Sequence, residues 1–446
     1  MGHPVRSLPV VQNWDCAGGC TECCRQYVVY VTEEERERIL HQGWDQDPEL
    51  KGVELFERVG GGRGSWRLRR RADGACVFLE ADNRCRIHAR FGLEAKPFAC
   101  RLYPFILVPA GDHWKLGLRF SCPPAAQNHG RPLSEHLPEA NALAGLLETS
   151  RNSSPGRQPP RVGDQLLDWP DLDRLLRALD RLLAEESIPL ERRWRQVLFL
   201  ADLLRSARFD GGGDPRKAVT GKRLTELLRI LSAAASDEVP AAATALPPPG
   251  RRGRVLFRSL LAAYVRKDTG PQQGTAQRTL AGRLWAAWRF ARGRGRVPRL
   301  HAAIPESAEF QQAEQPWPAW TPEATALLQR WSQVKISSGQ FCGPCNFDLD
   351  VWDGIDSLAL AFTAILWLGR LLLAHDMPLL EALIQAVRIV DDNFGFNPLL
   401  QGARQRQVLR LLRRTGDLPR LIAWYSRTRE DAQPPQKPSS EILGQE

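Results

Sequence analysis

The sequence predicts a mainly α-helical protein with a small, irregular, cysteine-rich metal-binding domain, carrying short strands, in front of a helical bundle body. Three observations predict it. Eight of the ten cysteines lie in the first 122 of 446 residues. After about residue 130, apolar side chains recur at helical spacing. No run of strand–helix alternation is present, which argues against a doubly wound or barrel enzyme. The domain plan is a cysteine-cluster domain at 1–130, a helical region at 131–235, an Ala/Pro-rich linker or loop at 236–253, a C-terminal helical region at 254–429 and a disordered tail at 430–446.

Cys16, Cys20, Cys23 and Cys24 fall within nine residues, and Cys76, Cys85, Cys100 and Cys122 follow. Thiolates so crowded repel one another and oxidise unless a cation holds them. The chain is too long to need disulfide staples, and residues 1–15 show no secretory signal, so a soluble cytoplasmic protein with reduced thiols is expected. All eight are therefore candidate metal ligands. Cys16, Cys20 and Cys23 with a distant fourth, Cys100 in first place, form the favoured quartet. The adjacent Cys23 and Cys24 point apart, which leaves one of them for a second site or free. Thiolate-only sites suit zinc or an iron–sulfur cluster of the 4Fe–4S type, and Gly18 and Gly19, by freeing backbone amides, tilt the choice toward the cluster.

The remaining elements of this domain are short. Val28–Val31 is a β-rich run, and Thr32 opens a helix whose first turn holds Glu33, Glu34 and Glu35, where the helix dipole favours acids. Strands are expected at 66–71, 105–108 and 114–120.

The order Cys-x3-Cys-x2-Cys-Cys, then Cys76-Val-Phe-Leu, Cys85-Arg-Ile-His88 and Lys96-Pro-Phe-Ala-Cys100-Arg-Leu-Tyr-Pro-Phe, resembles the YkgJ-type cysteine-cluster family, described as zinc- or iron-chelating. The resemblance covers about residues 14–125 and implies a metal-binding role. His88 and Lys96 stand where that family often has Tyr and Arg. Cys85 and His88 could form a chelating arm, against the simpler reading that His88 fills an aromatic's place in packing. The Cys-x3-Cys-x2-Cys spacing also occurs in radical S-adenosylmethionine enzymes, but nothing downstream supplies their barrel.

The helical body opens at Asp168-Trp-Pro-Asp171, a capping Asp followed by an early Pro. Leucines at 172, 175, 176, 179, 182 and 183 form its apolar stripe. Further stripes run from Leu190 to Leu204 and from Leu224 to Leu231. Helical patterns resume at 255–265, 279–292, 322–331, 357–374, 377–390 and 404–414. The apolar stretch Ser357–Ala374 contains Arg370 and falls short of the roughly 20 apolar residues of a spanning helix, so it is read as buried and no membrane partner is expected. Cys342-Gly-Pro-Cys345 is a lone Cys-x2-Cys: it lacks the βαβ context of a redox motif, and it could join a second metal site or be two ordinary thiols. Asp348, Asp350 and Asp353 resemble the start of a calcium loop but lack its terminal Glu, so capping is the better reading. Asp391, Asp392 and Asn393 read as a helix end.

Net charge is +10, and residues 251–299 carry 13 Lys/Arg against the single acid Asp268. That segment could grip an acidic protein or nucleic acid. The simpler reading is an amphipathic helix with Leu280, Leu284, Ala287 and Trp288 on one side and solvated arginines on the other. Three function classes follow: a metal- or cluster-binding protein; an S-adenosylmethionine-dependent protein lysine N-methyltransferase, since the plan also looks like that of flagellin lysine N-methylases; or an interaction scaffold with a structural zinc.

Overall fold

The computed structural model describes residues 2–16, 20–59, 66–151, 154–211, 218–267 and 279–431. Gly18 and Gly19, Asp268 and the tail from 432 lie outside them. Among the described residues are 16 α-helices and eight strands, every strand lying before residue 133.

The front part is built of β1 (Val5–Ser7), β2 (Asn13–Trp14), α1 (Glu22–Gln26), β3 (Tyr30–Val31), α2 (Glu33–Leu40), β4 (Phe56–Arg58), β5 (Trp66–Leu68), α3 (Arg86–Phe91), α4 (Phe98–Leu102), β6 (Phe105–Pro109), β7 (Trp114–Leu118), α5 (Pro123–Gln127) and β8 (Arg131–Pro132). Three small sheets result: β1-β7-β6, β2-β8 and β3-β5-β4. In the first, β1 runs parallel to β7 with Val5 opposite Trp114. Each three-stranded sheet has its own small core, one around Phe105, Trp114 and Leu116, the other around Ile39, Trp44 and Phe78. Helix α2 starts where the sequence places it. Thr32 Oγ1 accepts from Glu35 N while a Glu35 carboxylate oxygen accepts from Thr32 N, a reciprocal capping box.

The body comprises α6 (Leu137–Arg151), α7 (Trp169–Ala184), α8 (Leu190–Arg205), α9 (Gly221–Glu238), α10 (Arg251–Val265), α11 (Leu280–Arg292), α12 (Pro322–Ser338), α13 (Val351–Leu373), α14 (Leu379–Asn393), α15 (Ala403–Arg414) and α16 (Asp417–Ser426). Asp168 caps α7 as expected, accepting from Asp171 N. Helix α13 is the axis of the body, with 22 of its 23 residues buried. It is long and apolar enough to cross a membrane, but its most apolar window is entirely covered by protein. It begins six residues before the apolar stretch read from sequence, because Asp350 caps it by accepting from Trp352 N and Asp353 N. Asp353 pairs with Arg410 at 3.2 Å, so these acids serve the helix. One hydrophobic core takes residues from both sides of the Ala/Pro-rich loop, from Leu175 on α7 to Ile422 on α16.

Helix α11 departs from expectation. Ala286 and Phe290 are its buried residues, and Phe290 meets the rings of Phe310 and Trp367 with centroids at 5.3 and 6.3 Å. That contact fixes the rotation of the helix. Leu280, Leu284 and Trp288, the apolar side read from the sequence, are more than half exposed.

Buried polar contacts dock the front part on the body. Asp391 accepts from Ser121 N at 3.2 Å and pairs with Lys335 at 2.6 Å, both side chains being at most 1% exposed. Asp392 pairs with Arg119 at 3.1 Å and with Lys267. Asp391 and Asp392 do sit at the end of α14, but their work is across this junction.

Candidate metal centre

Short elements bring cysteines from distant stretches together. Cys23 and Cys24 ride on α1, with sulfurs 4.0 Å apart. Cys76 N donates to Cys24 O at 2.8 Å, which fixes the Cys76 loop against that helix. The Arg70 guanidinium reinforces the join by donating to the carbonyls of Arg25 (2.8 Å), Tyr27 and Gly74. Cys85 stands at the N-cap of α3, and Cys100 lies on α4. Glu35 holds the start of α4 by accepting from Phe98 N at 2.6 Å.

These five cysteines, 23, 24, 76, 85 and 100, line one cavity of about 180 Å³, together with Lys96, Arg70, Tyr27, Tyr103 and Arg119. Cys16, Cys20 and Cys122 lie outside that lining. Cys122 caps α5, and its thiol feels the charges of Cys20 and Cys23. Cys16 is exposed as a residue, and its sulfur also neighbours Cys20 and Cys23. The eight thiols therefore divide into a cavity group and a second group of Cys16, Cys20 and Cys122, with Cys23 between them. Of the quartet favoured from sequence, Cys23 and Cys100 line the cavity, and Cys16 and Cys20 do not. Cys100 feels the charges of Cys76, Cys23 and Cys85, and Cys122 those of Cys20 and Cys23. His88 is exposed and does not line the cavity. Cys342 and Cys345 line another cavity, beside Lys115, Trp169 and Arg157.

Burial dominates the electrostatics of most of these thiols. It raises Cys76 and Cys122 to about 11 and holds Cys100 well above the ordinary thiol value. Desolvation penalises a charged sulfur, so the protein alone keeps these groups protonated. Cys23 is the exception. It and Cys24 share one hydrogen bond at 4.0 Å, and that contact, with help from the Lys96 charge, lowers Cys23, while the same contact followed by burial raises Cys24. Lys96 is half-buried, yet its pKa rises: the Cys100, Cys85, Cys23 and Cys24 charges, where those thiols ionise, outweigh its desolvation.

Among the described residues, no three His, Cys, Asp or Glu side chains stand at ligating distance from a common point. The fit of a metal therefore rests on donor chemistry: five thiols facing one cavity, two of them adjacent in sequence, with a half-buried lysine among them. Lys96 and Tyr103 stand in the motif around Cys100, whereas Arg70, Tyr27 and Arg119 belong to no motif read from the sequence. The Lys-Pro pair ahead of Cys100 and the Arg three residues before Cys122 were the available signals.

Residues 15–123, about a quarter of the chain, match the family model "CxxCxxCC: Putative zinc- or iron-chelating domain". The front part is thus a cysteine-cluster, metal-chelating domain. Comparison with curated proteins and with solved structures returned no significant match.

Proposed function

We propose that the front domain binds an iron–sulfur cluster of the 4Fe–4S type through the cavity cysteines, and that the chain is a cluster-binding protein. The carrying observation is the convergence of Cys23, Cys24, Cys76, Cys85 and Cys100 on one cavity of about 180 Å³. A single water needs only ~10–15 Å³ of such space. A tetrathiolate zinc site closes on its ion, so a void of this size favours a polyatomic group. When bound, the cluster would supply one-electron redox capacity or a structural anchor. The chain's own residues do the rest. The thiols hold, Lys96 offsets their negative charge, and Arg70 ties the Cys76 loop to α1.

The test is iron, zinc and acid-labile sulfide analysis of anaerobically purified protein. The expected result is iron with sulfide, lost in Cys76→Ser and Cys100→Ser and retained in Cys342→Ser. Stoichiometric zinc without sulfide, or a folded protein holding neither metal, overturns the proposal.

A second reading, methyl transfer from S-adenosylmethionine to a protein lysine, draws support from the other cavity. It measures about 690 Å³ and lies between the β6–β7 turn, α7 and the 338–345 segment, within the 300–1,000 Å³ usual for small-molecule sites. Calorimetry with that ligand checks it, and the absence of binding heat removes the reading.

A further inference from the structure

The positive charge of this protein is concentrated in one stretch of sequence. Residues 251–299 hold 13 of the 61 Lys/Arg and one of the 51 Asp/Glu, so the rest of the chain is close to neutral. Within that segment α11 turns its larger apolar side chains outward: Leu280 is 74% exposed, Leu284 63%, Trp285 50% and Trp288 52%. Residues 280, 284 and 288 are spaced four apart, and Trp285 lies beside them, so they share one face. Arg289 and Arg292 lie over the Trp285 and Trp288 rings, at 5.6 and 5.3 Å from their centroids. None of Arg283, Arg289, Arg292, Arg294 and Arg296 pairs with a carboxylate among the described residues, and α11 contains no acid.

We propose that α11 is a membrane-surface anchor: the Leu280, Leu284, Trp285 and Trp288 face seats in the headgroup–acyl boundary of an anionic bilayer, and the surrounding arginines meet lipid phosphates. Leucine and tryptophan on one side of a helix with arginines alongside is the composition that binds at such a boundary. Tryptophan gains most there, with its ring in the apolar layer and its N–H at the wet side. Nucleic acid would use the rings and the charges but leave two leucines in water. A protein partner would need a groove shaped to a single convex helix, whereas a bilayer deforms to it. Charge complementarity selects anionic over neutral lipid. This site is independent of the cysteine cavity, so neither proposal depends on the other.

Sedimentation of the full chain with vesicles tests it, using phosphatidylcholine alone or mixed with phosphatidylglycerol. Binding to the mixed vesicles, weakened by salt, and little binding to the neutral ones is the expected result. Leu284→Glu and Trp288→Glu alter exposed positions, so circular dichroism should show an intact fold while affinity drops by more than about tenfold. Arg283→Gln, Arg292→Gln and Arg294→Gln should each weaken binding roughly fivefold. The proposal is overturned if the protein stays in the supernatant with anionic vesicles, or if the glutamate variants pellet like the parent. It is equally overturned if those variants instead abolish self-association or RNA binding in a protein that ignores lipid.

Discussion

Lys96 shows how one side chain can govern a thiol cavity. It is half-buried, lines the cavity beside Cys23, Cys24, Cys85 and Cys100, and carries the positive charge that partly offsets theirs. Lys96→Met keeps the aliphatic stem and removes the charge. Metal should then be lost to a chelator several times faster, with the far-ultraviolet spectrum unchanged; retention equal to the parent would leave Lys96 a mere packing residue. Asp391 poses the mirror problem in the body. It faces Lys335, whose pKa is lowered by burial. Asp391→Ala strands that ammonium in the interior, which typically costs about 3–5 kcal/mol. The urea midpoint should fall accordingly, and Lys335→Met in the same background should recover part of the loss.

At the scale of elements, the metal domain works by coupling short pieces that could not stand alone. Glu35 closes the capping box of α2 and also caps the start of α4, which carries Cys100. Glu35→Ala should therefore cost about 1–2 kcal/mol in the denaturation midpoint and also speed chelator stripping, while Glu37→Ala on the same helix does neither. Elements with a strong local signal were legible: Thr32, Asp168 and the leucine stripe of α7 all do what their sequence says. The orientation of α11 was not legible. Its apolar residues occupy two faces, and only the remote rings of Phe310 and Trp367 decide which one is buried. Helices α6 and α16 fall within the regions read as helical, but their own stripes, Leu137 to Leu147 and Leu418 to Tyr425, were not singled out. The cysteines were legible as a set, but their grouping was not: it depends on backbone joins such as Cys76 N to Cys24 O, between residues 52 positions apart.

For the whole molecule, acidity should matter through His301. Burial, and then the neighbouring Lys267 charge, lower it to about 4, against a favourable contribution from Asp392 and a further unfavourable one from Arg388. Its ring accepts from Ala303 N at 3.0 Å. The ordinary value is about 6.5, so between pH 6.5 and 4 the unfolded chain binds the proton that the folded one refuses. Stability from this group is complete above about 6.5 and is lost as pH falls toward 4, by about 3 kcal/mol in all. Buried Asp356, raised to about 6 mainly by desolvation, works in the opposite sense between 3.8 and 6. Denaturation midpoints from pH 7 to 4.5 should fall less steeply in His301→Gln than in the parent.

The paired acids at the end of α14 make the chain hard to cut. Were the cysteine region expressed as a fragment ending near residue 130, Arg119 would forfeit Asp392 and Lys115 would forfeit Asp173. The remainder would keep Arg388 without Glu22 and Arg330 without the Ala126 carbonyl. Severed pieces should thus be sticky and short-lived, whereas co-expressing them should restore a soluble complex. Stripping the metal should accordingly soften the helices as well, because Glu22 stands between two of the sulfurs and grips α14.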